Sequence, residues 1–300
     1  MIRTFDVCDQ SLVEGGSFFE SARWHHDRWW FSDFYQHRVI AVDVAGTVEE
    51  VLAVDGQPSG IGWLPDGSML VVSMLDRRIV RLSVGGEVST YADLAALVKS
   101  PLNDLVVDPR GYAFVGSLGF DPRTQDPRPA ALVRIDPDGR AVICDDDLWI
   151  PNGMVVTDDG RTLIAAETLS TRFLVWDLAP DGSLANRRVW AAFGEIPTRG
   201  TMESMLGSIP VAPDGCTIDA EGQIWVADTI HGRCLRVASG GVVTGEVVLR
   251  PGLGAYACAL GGSSGATLAI CAAPYGIPRN GSDEARILTT EVDVPGREWA

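Results

Sequence analysis

The chain has 300 residues, 46% of them hydrophobic and 21% charged, which is ample material for a core. Lys and Arg number 24 against 40 Asp and Glu, leaving a formal net charge of −16 with no basic cluster anywhere. That balance counts against a nucleic-acid partner, which needs a basic face, and it weakly repels anionic substrates. The first residues, MIRTFDVCDQ, show no charged-then-apolar leader, and no apolar run approaches a membrane span. A cytoplasmic protein with no membrane partner is the expectation. The Ile-x-Thr-Phe-x-Val alternation in the same segment predicts a strand that pairs with the end of the fold, joining the two chain termini in one sheet.

From residue 20 onward a short unit recurs. It is clearest as DGCTIDAEGQIWVAD from Asp214: a polar residue, an apolar residue four positions on (Ile218), an Asp-x-x-Gly turn (Asp219 to Gly222) and an apolar run. NDLVVDPRGYAFVGS from Asn103 and NGMVVTDDGRTLIAAE from Asn152 repeat it. Weaker copies are ESARWHHDRWWFSD from Glu20, SGIGWLPDGSMLVVSM from Ser59 and YACALGGSSGATLAICA from Tyr256. The six starts are separated by 39, 44, 49, 62 and 42 residues. Strand, tight turn and strand at such a period mark an all-β propeller, one four-stranded sheet per repeat and one domain over residues 1–300.

Second-half strands are expected at 38–44, 79–84, 131–135, 173–178 and 234–237, with 286–294 as the penultimate strand of the last blade. Residues 92–98 have the composition for a turn or two of helix. The Pro-rich segment 119–129 is a link between strands near one mouth of the propeller. The longest step, between 152 and 214, holds an insertion at 194–213. It leads straight into Asp214, and its Met202, Met205, Leu206 and Ile209 suit either a cover over the mouth or packing on a neighbouring blade.

If the repeats are radially equivalent, their start residues ring one axis: Glu20, Ser59, Asn103, Asn152, Asp214 and Tyr256. Four of the six offer the carboxylate or carboxamide oxygen that a hard cation needs. Asn and Asp also open turns before strands, but Glu does not favour turns, and all four would have to face one axis by accident. The six cysteines, at 8, 144, 216, 234, 258 and 271, form no CxxC pair and no zinc-like spacing with His, and fit small buried strand residues. Cys216 shares the direction of Asp214 along its strand, lining the channel without chemistry. Asp33 and Asp228, which end strands, read as structural. None of the histidines at 25, 26, 37 and 231 falls on the ring, and no GxSxG elbow is present, so a serine triad is unsupported.

The stretches FFESARW, LNDLVVDPRG, IPNGMVVTDDG and PDGCTIDAEGQIWVAD resemble the senescence-marker-protein, gluconolactonase and luciferin-regenerating-enzyme family. The resemblance covers the whole chain. It implies a six-bladed β-propeller with one divalent metal in the central channel, held by Glu20, Asn152 and Asp214, with Asn103 beside it contacting substrate or water. It further implies that Asp214 serves as the base or water-activating group. Oxygen ligation favours calcium on hardness, with magnesium, manganese, zinc or iron open. Such an ion can polarise a carbonyl and steady the oxyanion that follows attack, the requirement for opening a lactone or activated ester. Sugar-lactone members carry an Arg two residues before the position of Asn103, where this chain has Pro101. A small-molecule lactone or ester less polar than gluconolactone is therefore expected. A phosphotriesterase of the diisopropyl-fluorophosphatase type and a non-catalytic calcium-binding propeller are the competing expectations.

Overall fold

The computed structural model describes residues 2–7, 11–157, 159–275 and 283–297. Each repeat folds as an antiparallel meander of four strands, and the six meanders are the blades of a propeller. Blade 1 runs Phe19–His25, Arg28–Asp33, Arg38–Val42 and Val48–Ala53, and blade 2 runs Pro58–Trp63, Met69–Ser73, Arg78–Leu82 and Val88–Asp93. Blade 3 is Leu102–Val107, Ala113–Ser117, Ala130–Ile135 and Ala141–Leu148, and blade 4 is Pro151–Val156, Thr162–Glu167, Arg172–Leu178 and Leu184–Ala192. Blade 5 comprises Pro213–Ile218, Ile224–Asp228, Arg233–Ala238 and Val242–Val248. Blade 6 takes Leu253–Gly261, Thr267–Pro274 and Ala285–Glu291, then borrows Val13–Gly16 from the start of the chain as its outermost strand. Consecutive innermost strands touch, and Phe19–His25 touches Leu253–Gly261, which closes the ring.

Burial explains why the second strand of each repeat is a continuous apolar run and not an alternation. Every residue of Met69–Ser73, Ala113–Ser117 and Ile224–Asp228 is buried, because a blade is covered on both faces by its neighbours. The outermost strands, such as Val88–Asp93 and Leu184–Ala192, are mostly exposed. The Asp-x-x-Gly turns behave as read. Asp108 and Asp219 each accept from the N–H groups two and four residues on, and Gly111 and Gly222 take φ of 90° and 77°.

The N-terminal strand does not join the last blade as the alternation predicts. Arg3–Phe5 lies parallel to Val242–Val248, as a fifth strand on blade 5. Its expected place is taken by Val13–Gly16, which pairs with Ala285–Glu291 and closes the propeller. Phe5 packs its ring edgewise on Trp225 at 5.8 Å, so the segment gains an apolar contact while covering an edge. Residues 92–98 close a single turn, with the Val98 N–H donating to the Leu94 carbonyl. Of the cysteines, 144, 216, 234, 258 and 271 are free thiols, and Cys8 lies outside the described residues. Among the described residues no helix is long and apolar enough to cross a membrane.

Blades 1, 4 and 5 share a buried clamp that a repeat-by-repeat reading of the sequence passes over. Their second strands end in Asp33, Glu167 and Asp228, each 0 to 1% exposed. Each carboxylate accepts a backbone N–H from the segment entering the same blade: Ser17 and Phe18, Trp149, and Ala212. Each is paired with the Arg five residues on, Arg38, Arg172 and Arg233. The Asp228 carboxylate also meets His231 Nδ1 at 2.9 Å. Breaking such a buried pair strands an Arg and an N–H together, so Asp228→Ala should destabilise the fold by about 3 to 5 kcal/mol. Urea denaturation of the two proteins measures this; a loss under about 1 kcal/mol would place the pair among exposed, weakly contributing bridges.

Candidate metal centre

The sheet ladder breaks in the innermost strand of every blade, at the level of the repeat starts. In blades 2 to 5 two residues face one across the break: Ser59–Gly60, Asn103–Asp104, Asn152–Gly153 and Asp214–Gly215. In blade 1 the break falls between Glu20 and Arg23, and in blade 6 between Ala255 and Ala257. A bulge re-aims a side chain: in blades 2 to 5 the start residue lies inside the bulge, whereas in blade 1 Glu20 keeps its ladder partner Ser32 and the residues released are Ser21 and Ala22. The Gly after the start residue is demanded by the neighbouring strand. A Cβ on Gly60 would lie 2.3 Å from Leu105 N, one on Gly153 2.4 Å from the Asp214 carbonyl oxygen, and one on Gly215 2.6 Å from Ala257 Cβ. The Ser-Gly, Asn-Gly and Asp-Gly pairs are thus close inner-strand approaches and not turns.

A chain of hydrogen bonds links the start residues from blade to blade. Asn103 Nδ2 donates to the Pro151 carbonyl at 3.2 Å, just before Asn152. Asn152 Nδ2 donates to Thr168 Oγ1 at 3.3 Å, and that hydroxyl donates to the Pro213 carbonyl at 2.8 Å, just before Asp214. Both amide nitrogens are spent on the scaffold, which leaves both carboxamide oxygens as the acceptor ends available to a cation. Asn103, Asn152 and Asp214 are buried at 8%, 8% and 7% exposure, and Glu20 is half-buried. The other two ring members make these contacts. Tyr256 donates its hydroxyl to the Pro274 carbonyl and sets its ring 4.6 Å from that of Phe18, and buried Ser59 accepts the Ser32 hydroxyl on its carbonyl.

The electrostatics of this level call for positive charge. Burial, then the charges of Asp214 and Asp104, hold the Glu20 carboxyl well above the usual carboxylate range. Burial, then the Asp104 charge, raises Asp214 in the same way, with Asn152 and the Gly215 N–H acting in the opposite sense. Asp214 Oδ1 is buried with no hydrogen-bond partner, an orphaned acceptor that ordinarily demands explanation. Among the described residues no three His, Cys, Asp or Glu side chains form a metal-binding group. The donors at this level are two carboxylates and carboxamide oxygens, a hard set that suits calcium, magnesium or manganese better than a thiophilic ion.

Below this level the channel is interrupted. Arg23, three residues beyond Glu20, is pinned by four hydrogen bonds: Nε to the Ile61 carbonyl, Nη1 to that of Ala22, and Nη2 to Asp104 Oδ1 and the Leu105 carbonyl, both at 2.8 Å. Beyond it a cavity of about 560 Å³ opens at the far mouth, walled by Trp24, His25, Trp63, Met154, Cys216 and Leu260 among others. None of the start residues lines that cavity. Cys216 faces it, and burial pushes its thiol well up, so it is not a nucleophile. His25 stacks on Trp63 at 4.1 Å, and burial, then His26, lowers its pKa to about 4.

Two hydrophobic groups flank the segments that lead into the start residues. On one side buried Phe18 packs with Phe34 at 5.3 Å and Tyr35 at 6.2 Å. On the other side the insertion 194–213 makes one short helix, Met202–Leu206, capped by Thr201. Met205 is fully buried against Phe120, Ile150 and Leu169 from the loops of blades 3 and 4, so the insertion packs on its neighbours. Arg199 stacks on Trp149, its guanidinium carbon 3.6 Å from the ring centroid. The sequence reading passed over Arg23 and Asp104; the signal available was the odd Asp in the Asn103–Asp104 bulge, where blades 2, 4 and 5 have Gly.

Comparison with known proteins bears on the family and the fold. Residues 18–274 match the SMP-30/Gluconolactonase/LRE-like region. The chain is 28% identical over 212 residues to pentonolactonase XacC of Haloferax volcanii, a match covering 69% of this chain and 65% of that protein. It is 29% identical over 191 residues to regucalcin of Danio rerio, covering 63% and 60%. The match thus spans less than two thirds of either relative. Among solved structures, a calcium-binding regucalcin from Agrobacterium tumefaciens superposes with a TM-score of 0.78 at 19% identity, covering 99% of this chain and 98% of that one. A luciferin-regenerating enzyme superposes at 0.75 with 20% identity and 95% coverage of each. At those identities the likeness shows the fold, and the match over 18–274 shows the lineage: the chain belongs to the SMP-30/gluconolactonase/LRE-like family.

Proposed function

We propose that this protein is a metal-dependent lactonase acting on a lactone or ester less polar than gluconolactone. The observation that carries the reading is the orphaned, buried Asp214 Oδ1 at a level where the half-buried Glu20 has its carboxyl held well above the usual range and where Asn103 and Asn152 donate from their nitrogens to the scaffold. Glu20, Asn152 and Asp214 would hold one divalent ion, calcium by hardness. When bound, the ion supplies Lewis-acid polarisation of the substrate carbonyl and charge for the oxyanion. The protein's own part is positional. Two carboxylates balance a divalent charge, and the Thr168 bridge fixes Asn152 against the strand that carries Asp214. Asp214 accepts the proton of the attacking water, and Asn103 orients water or substrate through its free oxygen. The lactonase names among the relatives, pentonolactonase and 6-deoxy-6-sulfogluconolactonase, support the reaction class.

The less polar substrate rests on Pro101, which offers no donor where a sugar-binding Arg is expected, and is supported by the Phe18, Phe34 and Tyr35 cluster just before and after the strand pair that carries Glu20. The non-catalytic alternative is separated from this reading by turnover: a binding propeller takes up the ion and hydrolyses nothing.

Asp214→Asn removes one charge from a buried oxygen pair and little volume, so the fold should persist while hydrolysis falls by about two to four decades, the ordinary worth of a positioned base. Stopped-flow assay of a simple lactone, with and without a chelator, checks this; full activity in the variant would place the base elsewhere. Substrate choice is a separate expectation. An apolar lactone should exceed gluconolactone of the same ring size in kcat/KM by roughly one to two decades, the equivalent of one lost charged hydrogen bond. Side-by-side rates decide it, and a preference for gluconolactone would hand the missing arginine's part to Arg123 or Arg199.

A further inference from the structure

We infer that Arg23 and Asp104 form a charge-setting pair beneath the metal centre, acting on ion affinity as positioning residues. This rests on the proposed metal reading. Asp104 follows Asn103 inside the same bulge, is 5% exposed, and projects a third carboxylate near Glu20 and Asp214. A divalent ion balances Glu20 and Asp214, so the buried Asp104 carboxylate adds an excess negative charge beside them, an expensive arrangement. Arg23 cancels it. Its side chain is 18% exposed and reaches Asp104 Oδ1 at 2.8 Å, while its remaining bonds go to carbonyls of blades 1, 2 and 3. Counting Glu20, Asp214, Asp104, Arg23 and a divalent ion, the centre is neutral.

The same pair sets the backbone beneath the ligands. Ser21, adjacent to Glu20, sits at φ 52°, a left-handed conformation that a side chain rarely adopts. Its hydroxyl accepts the Ile61 N–H at 2.8 Å and donates to Asp104 Oδ1 at 3.3 Å, and its own N–H donates to Glu20 Oε2 at 3.1 Å. Asp104 thus holds the residue that orients the Glu20 carboxylate, and Arg23 holds Asp104. No other blade's bulge carries a charge at the Asp104 position: Gly60, Gly153 and Gly215 stand there in blades 2, 4 and 5. Glycine suffices for the close approach of strands, so the Asp serves something else.

The test is a double-mutant cycle read by calorimetric titration of Ca²⁺ and Mn²⁺ into chelator-stripped protein, with thermal melting alongside. Asp104→Asn leaves the Arg23 charge uncancelled and should weaken ion binding about 10- to 100-fold, the usual effect of an outer partner. Arg23→Gln leaves excess negative charge and should bind the ions at least as tightly as native, with a lower melting temperature. The double variant is neutral again and should return to within about threefold of native affinity. A merely structural pair predicts the opposite, a double variant as weak as the weaker single, and that result overturns the inference. If Arg23→Gln does not fold, Arg23→Lys keeps the charge without the fork. Native-like ion affinity at reduced melting temperature then supports the inference, and affinity as weak as Asp104→Asn overturns it. Native protein that takes up neither ion overturns the metal reading itself, whereas native uptake with an unmoved Asp104→Asn affinity overturns the pair's role alone.

Discussion

Closing six twisted sheets around one axis brings the six innermost strands closer together than side chains on both faces allow, and the rest of this structure follows from how the chain meets that constraint. Gly60, Gly153 and Gly215 give the neighbouring strand the room a Cβ would fill. The bulges that accompany them release one residue per blade from the ladder and turn it toward the channel. The level of the bulges is a by-product of ring closure: where the sheet cannot be regular, Asn103, Asn152 and Asp214 leave the ladder, and Glu20 stands at the edge of the break in blade 1. The borrowed strand Val13–Gly16 then keeps the ring shut from outside.

Polar groups at that level would be costly in an ordinary core, and the surrounding structure shows how the cost is contained. The carboxylates of Asp33, Glu167 and Asp228 are cancelled by Arg38, Arg172 and Arg233 and spend their oxygens on backbone N–H groups. These clamps occur in the three blades that carry Glu20, Asn152 and Asp214, and they tie down the segment immediately before each. Glu20 and Asp214 are different in kind. Both remain raised, first by burial and then by neighbouring carboxylates, Asp214 and Asp104 acting on Glu20 and Asp104 on Asp214, and one oxygen of Asp214 has no hydrogen-bond partner. Beside structural carboxylates that are each paired with an Arg, the two raised carboxyls at the level of the bulges are the groups a cation would serve.

The repeat and the start residues were legible because both follow from one period. The apolar residue four positions after each start, the Asp-x-x-Gly turn and the buried run recur closely enough to align six copies, and alignment alone puts Glu20, Asn103, Asn152 and Asp214 at one level. Three features were not legible. The pairing of Arg3–Phe5 with blade 5 depends on which sheet edge is left open after Val13–Gly16 has closed the ring, a tertiary fact with no local signal. The Arg23–Asp104 pair joins residues 81 apart in sequence across two blades. The clamps did leave a trace, an acidic residue followed five positions later by Arg in blades 1, 4 and 5, but each instance alone looks like an ordinary strand end. Tyr256 shows the converse limit: periodicity placed it on the ring, while its hydroxyl donates to the Pro274 carbonyl and its ring packs on Phe18.

The central claim is that one divalent ion sits on the propeller axis at the level of the bulges. Anomalous diffraction at the manganese edge, from crystals soaked in Mn²⁺, addresses it without reference to any substrate. The account predicts one peak about 2.0 to 2.3 Å from oxygens of Glu20, Asn152 and Asp214, the range for small hard cations on such ligands. No peak there, or a peak confined to the cavity beyond Arg23, would contradict it.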